Sequence, residues 1–354
     1  MTSLKVPTMG AAVVALVWGA SASALSDGDF GKILDRYKAE LKRSKASCSH
    51  IYATGSLTVE VASNGRARTN SKHEIKIIQD GARALLRESP LGGELRATPS
   101  GRSVEVKILD PPSLYAIASG KRDGPFYPRV IGSVNQEASR RVADSLAHYT
   151  ESLLKAPFSL LDESILSLLG SSQVTVTSVS PETAPNGKQW RFSFSRRTTD
   201  EATGPTTGWW VVDPDNGWAL VRYHCQTVRH RGTDSPIVQD GAWDGTVIYG
   251  TATDSRPQPA RVELEQDVTT KQASYRLKET FAIDDYRYAE YPNRSEFSLD
   301  YYGLGDLAGT HHYNLRLALL LMAVSAVAMV IWMILKRKIR ACTPKGQTPP
   351  KTWP

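Results

Sequence analysis

The spacing of apolar positions changes period along the chain. From Asp29 to about Lys45, residues Phe30, Ile33, Leu34, Tyr37 and Leu41 recur every three or four positions, which places them on one face of a helix. After Cys48 the period drops to two. Leu57, Val59 and Val61 alternate with polar residues, as do Val104, Val106 and Ile108, then Val174 and Val176, Trp190, Phe192 and Phe194, Val262 and Leu264, Tyr275 and Leu277, and finally Phe297, Leu299 and Tyr301. Such alternation predicts strands with one buried face. Asn64-Gly65, Asp80-Gly81, Ser100-Gly101, Asn186-Gly187 and Asn216-Gly217 punctuate these runs at hairpin spacing, so sequential antiparallel pairing is expected. Helical spacing returns in mid-chain. Val142, Leu146, Tyr149 and Leu153 share one face, and a second helix is expected from about Ser159 through Leu160, Leu161, Ile165, Leu168 and Leu169 to Gly170. The predicted class is α+β: a large curved antiparallel sheet, an open half-barrel, with helices covering its concave face.

Both ends depart from this pattern. Lys5, the apolar run Met9 to Gly19 and the small residues Ala20-Ser21-Ala22 and Ala22-Ser23-Ala24 form a secretory leader over 1–24. Residues 317–335 contain no charge in nineteen positions and would span about 28 Å as a helix, close to the thickness of a bilayer core. Only Arg316 precedes this run closely, whereas Lys336, Arg337, Lys338 and Arg340 follow it, which places the tail on the cytoplasmic side. The expected organisation is a leader (1–24), an extracytoplasmic domain (25–303), a juxtamembrane stalk (304–316), a transmembrane helix (317–335) and a basic, proline-rich tail (336–354).

Charge follows the same division. Six of the 43 Lys and Arg lie in the tail and one in the leader, so the mature exterior balances its 36 acidic residues, and nucleic acid is not an expected partner. Cys48 and Cys225 fall outside and Cys342 inside; the outer two either form a disulfide or remain buried free thiols. The densest polar stretch, Asp213-Pro-Asp-Asn-Gly-Trp218, lies between two apolar runs and lacks the closing glutamate of a calcium loop, so a hairpin turn is expected. His224, Cys225 and His230 are too far apart along a strand to share one ion, and His311-His312 lies at the membrane boundary, so no metal site is assigned. Asp284-Asp285 reads as a solvated loop pair. No nucleophile elbow or phosphate loop occurs, and no cofactor is expected. Trp190, Phe192 and Phe194 either pack beneath the helices or line an apolar ligand cavity.

The order of a first helix, antiparallel hairpins, mid-chain helices and returning strands over roughly 29–303, together with "VVDPDNGWALVRY" and "FSLDYYGL", resembles the LolA/LolB lipoprotein-carrier and RseB-type superfamily. The resemblance implies a half-barrel enclosing an acyl-chain cavity and a bacterial extracytoplasmic carrier or envelope sensor; the missing catalytic motifs favour a non-catalytic role, and the span with its basic flank places the chain at the inner membrane. The apolar run at 317–335 departs from a diffusing carrier. The expectation is therefore a single-pass, membrane-anchored binding protein for lipid, acyl chain or lipoprotein, or an envelope sensor or scaffold with a protein partner. The alternative is a purely structural interaction module, with an unrecognised hydrolase third.

Overall fold

The computed structural model describes residues 27–305 apart from 65, 93–102, 135, 186, 198–202, 232–236, 251–255 and 270–272. The leader, the 317–335 span, Arg316, the basic residues 336–340, His311-His312, Cys342 and the Ser100-Gly101 turn lie outside the described residues. Among the described residues no helix is long and apolar enough to cross a membrane.

Helix α1 runs Asp27–Ser47 and leads into a first meander: β1 His50–Ser63, β2 Arg66–Asp80, β3 Arg83–Pro90, β4 Val104–Asp110, β5 Ser113–Ser119 and β6 Tyr127–Ser133. A second meander comprises β9 Val174–Ala184, β10 Gly187–Arg196, β11 Thr203–Asp213, β12 Ala219–Arg231, β13 Ile237–Tyr249, β14 Pro259–Thr269 and β15 Ser274–Arg287. The two join where β1 pairs with β15, giving one open 13-stranded sheet with β6 and β9 at its edges. Every neighbouring pair is antiparallel, as the hairpin punctuation predicts. At the β1–β15 junction the register shifts between Thr54 and Gly55, and a Cβ at Gly55 would collide with the Ala282 carbonyl. Only glycine fits that approach.

Because β6 and β9 are opposite edges, the intervening chain must cross the sheet, and this sets the position of the helical insert. It comprises α2 Glu137–His148, a π-helical turn Tyr149–Leu154, a 3-10 turn Ala156–Phe158, a two-residue hairpin of β7 Ser159–Leu160 and β8 Glu163–Ser164, and α3 Ile165–Gly170. The helix expected from Ser159 is therefore shorter and starts later. Leu161 and Asp162 adopt left-handed backbone (φ 53° and 60°) and turn the chain back before α3 begins at the Ser164 cap, whose hydroxyl accepts from Ser167 N. Alternate strand residues face two cores. Ile51, Ala53, Leu57, Ile75, Ile77 and Leu86 pack with Tyr37 and Leu41 of α1 and with Leu146, Leu153 and Leu154 of the insert. Burial of each such aliphatic side chain contributes roughly 1.5–3 kcal/mol.

The other face carries Ile78, Leu85, Val104, Val106, Ile108 and Ile117, covered by Tyr291, Phe297, Leu299 and Tyr302. This cover corrects the strand expected at Phe297, Leu299 and Tyr301. The segment forms 3-10 turns, Arg294–Phe297 and Leu299–Tyr302, whose period near three buries Tyr302 and leaves Tyr301 48% exposed. Asp284-Asp285 also differs from expectation: both residues lie within β15, where Asp285 accepts from Arg287 Nε at 2.9 Å.

The Asp213–Trp218 stretch is a hairpin turn between β11 and β12. Pro214–Asn216 forms a 3-10 turn, Asp213 Oδ1 accepts from Asp215 N at 3.0 Å, and Gly217 (φ 64°) and Trp218 (φ 61°) are left-handed. A Cβ at Gly217 meets only Pro257 at 3.6 Å, so substitution costs backbone energy rather than space. Gly217→Val is expected to destabilise by about 1–2 kcal/mol and Asp215→Ala by no more than about 1 kcal/mol, measured by urea unfolding. Equal small losses would refute the left-handed requirement.

Candidate binding cleft

A cleft of about 310 Å³ opens where α1 ends. Its apolar lining is Leu41 and Cys48 from the end of α1, Phe158 from the insert, and Leu166 from α3. Ser49, Gln79 and Gly81, where β1 starts and β2 ends, form one wall; Glu151, Lys155, Ser159 and Ser164 of the insert form the facing one. The volume lies at the small end of the range for ligand pockets, and the lining is mixed: four apolar side chains face seven polar or charged ones. Lys155 Nζ binds Glu151 Oε1 at 2.7 Å, and Ser159 Oγ donates to Glu151 Oε2 at 3.1 Å, so this wall is internally neutral. Lys45 is exposed and lines the same cleft.

Two polar clasps hold the walls. In the first, His148, where α2 ends, bonds Asp162 Oδ1 through Nδ1 at 2.8 Å and Glu279 Oε2 of β15 through Nε2 at 3.0 Å, and the Ser152 hydroxyl donates to the same Asp162 oxygen. Burial disfavours the imidazolium, but the two carboxylates outweigh it and hold the His148 pKa up at about 10. Asp162 feels burial in the opposite sense, yet its bonds to His148 and Ser152 leave its pKa lowered. This clasp ties the β7–β8 hairpin, and with it Ser159 and Ser164 of the cleft, to the sheet.

The second clasp stands behind the other wall. Asp80, with its side chain 4% exposed, accepts from His50 Nδ1 at 2.5 Å and from Arg294 Nε at 2.9 Å. Gly81 N donates to Ser49 O at 2.7 Å. Neither clasp was visible in the sequence, because each joins segments separated by tens to hundreds of positions.

The expected aromatic set is divided. Phe192 is fully buried, 4.9 Å from Tyr37 and stacked on Trp210 at 5.5 Å with a 7° interplanar angle; Phe194 packs on Trp210 at 5.1 Å. Trp190 is half-buried, with Lys188 Nζ 4.6 Å from its ring centroid. These side chains fill space under α1 rather than line the cleft. The disulfide considered between Cys48 and Cys225 is not formed: both are buried free thiols. Cys48 closes the cleft floor and burial pushes its pKa up to about 12, while Cys225 lies in β12 opposite Gly208 and Trp243, where burial also raises its pKa. His224 is half-buried on the sheet face opposite Cys225 and bonds Asp244 Oδ1 at 2.9 Å. Among the described residues no group of three His, Cys, Asp or Glu is placed to hold a metal ion.

No family model and no curated protein matches the chain. Among solved structures it is similar to a LolA superfamily protein, NE2245 from Nitrosomonas europaea, at 9% identity over 75% of this chain and 98% of that one, with a TM-score of 0.37. A DUF1329 family protein from Desulfovibrio piger ATCC 29098 matches at 9% identity over 75% and 96% of the two chains, with a TM-score of 0.32. MucB, in a complex with MucA(peri), matches at 11% identity over 70% and 93%, with a TM-score of 0.22.

Proposed function

We propose that this chain is a non-catalytic extracytoplasmic binding protein, held at the membrane by 317–335, which takes an acyl chain or a comparably narrow apolar ligand in the cleft at the end of α1. The observation that carries the reading is the lining by Leu41, Cys48, Phe158 and Leu166 between two clasped walls. Each methylene transferred from water into such a lining contributes about 0.8 kcal/mol, so about ten buried methylenes supply the roughly 8 kcal/mol of micromolar affinity. The leader and the basic residues after 335 support an outward-facing domain with a cytoplasmic tail.

The test uses the full chain in lipid nanodiscs with a diazirine-bearing dodecanoate. Photolabel is expected on peptides covering 41–49 and 151–166, and Leu166→Trp, which fills the cleft, is expected to remove it. Labelling confined to 317–335 would overturn the cleft reading. A second reading, a packed module that binds an envelope protein partner, is favoured by the solid stack of Tyr37, Phe192 and Trp210, and that same outcome would support it.

A further inference from the structure

We propose that the cleft is coupled to the segment leading to the membrane, so that filling the cleft loosens the strap formed by residues 291–304. The inference rests on the ligand reading above for its biological input, but its physical basis is the Asp80 clasp.

The strap covers the sheet face opposite the helices through Tyr291, Phe297, Leu299 and Tyr302. Glu296, 5% exposed, fixes its middle by accepting from Lys76 Nζ at 2.6 Å, Tyr291 Oη at 3.0 Å and Asn293 Nδ2 at 2.9 Å. The strap reaches the cleft wall through Arg294, whose Nε donates to Asp80. Asp80 is flanked by the cleft-lining residues Gln79 and Gly81, and its other partner, His50, follows cleft-lining Ser49. Gln79 Nε2 donates to the Gly81 carbonyl and Gly81 N to Ser49 O, which makes the wall a single hydrogen-bonded unit. Asp80 and Arg294 also line one recess that contains neither Gln79 nor Gly81.

A ligand that displaces the Ser49/Gln79–Gly81 wall therefore moves the carboxylate holding Arg294. Asp80 retains His50 when the wall moves, and half-exposed Arg294, which also donates to Glu290 Oε2 at 2.8 Å and can reach water, is the partner that yields. Coupling of this kind is reciprocal: releasing Arg294 must favour cleft occupancy by the same factor.

The test enforces occupancy. In the full chain in nanodiscs, with Cys342→Ser and Cys48→Ala removing the tail and cleft thiols, Leu166→Cys is alkylated with N-dodecylmaleimide, and with N-methylmaleimide as the short control; Cys225, buried in β12 outside the cleft, is shielded. Hydrogen exchange is followed at Glu296, Ser298, Tyr301, Gly303 and Leu304, whose amides are bonded within the strap, and at Gly81 to show the cleft filled. The dodecyl adduct is expected to speed strap exchange about tenfold over the methyl adduct. Arg294→Ala is expected to reproduce the fast exchange without a tether and to leave the dodecyl chain little further effect. Equal strap exchange in the two adducts, with Gly81 responding, would overturn the coupling, as would wild-type exchange in Arg294→Ala. Failure of free diazirine dodecanoate to label the cleft, with the tethered chain still loosening the strap, supports the coupling and removes only the ligand reading.

Discussion

Trp210→Ala is expected to lower the unfolding free energy by about 4 kcal/mol, one of the two largest effects of any substitution considered. Trp210 is fully buried in β11, opposite Phe192 in register, and its ring packs against both Phe192 and Phe194. Tyr37 continues the stack from α1, at 4.9 Å from Phe192 and 5.8 Å from Trp218. Truncation removes the largest buried ring from a stack that joins a helix to the sheet, and the flanking strands cannot close the space because their pairing fixes them. Phe192→Trp tests the same packing in reverse: in a filled stack the larger ring is expected to cost about 1–3 kcal/mol. Both are read by urea unfolding monitored by circular dichroism. A loss under about 1 kcal/mol for Trp210→Ala, or a stabilised Phe192→Trp, would show open space beneath α1 and move the ligand site from the cleft to the stack.

How far the sequence carried the fold depends on the range of the interactions involved. Period-two alternation located β1, β4, β9, β10, β14 and β15, because a half-buried strand records its environment in its own side chains. It also identified the common face of Phe192 and Phe194, since that face follows from strand geometry alone. Trp209 shows the limit of reading by residue type. Adjacent to Trp210, it points to the opposite face, where Arg191 and Arg222 lie 4.4 and 5.7 Å from its ring centroid. The helix misplaced at Ser159 has a different cause. Leu160 and Leu161 fit a helical pattern, but the left-handed pair Leu161-Asp162 is held by His148 and Ser152 bonding to Asp162, and no local propensity reports a bond made fourteen positions away. The strap was misread because Phe297, Leu299 and Tyr301 alternate, while Ser298, which caps the following turn by accepting from Asp300 N, breaks the strand. The cleft itself gave no signal, because its lining comes from α1, the β1 and β2 ends, the insert and α3.

Removal of the His148 clasp is the second large effect. His148→Ala is expected to cost about 3 kcal/mol, because it leaves Glu279, whose side chain is 12% exposed, as a carboxylate without its cation. The groups facing His148 are Asp162 from the β7–β8 turn, Glu279 from β15 and the edge-on ring of Tyr149, so the imidazole meets two acids and no competing base. Its folded pKa, about 10, lies above the unfolded value near 6.5. The protonated clasp therefore contributes its full stability below about pH 6.5, and that contribution is lost as pH rises through 10. Asp162 has the opposite sign: its lowered folded pKa gives stability that is present above its ordinary value and lost as pH falls. Between pH 6.5 and 9 the wild-type unfolding free energy is expected to drop by about 3 kcal/mol through His148, whereas His148→Gln, which has no titrating group there, should lose none of this part. Urea titrations of both chains at the two pH values decide the matter. Parallel slopes would show that folding does not raise the His148 pKa and that the clasp is a neutral hydrogen-bonded contact.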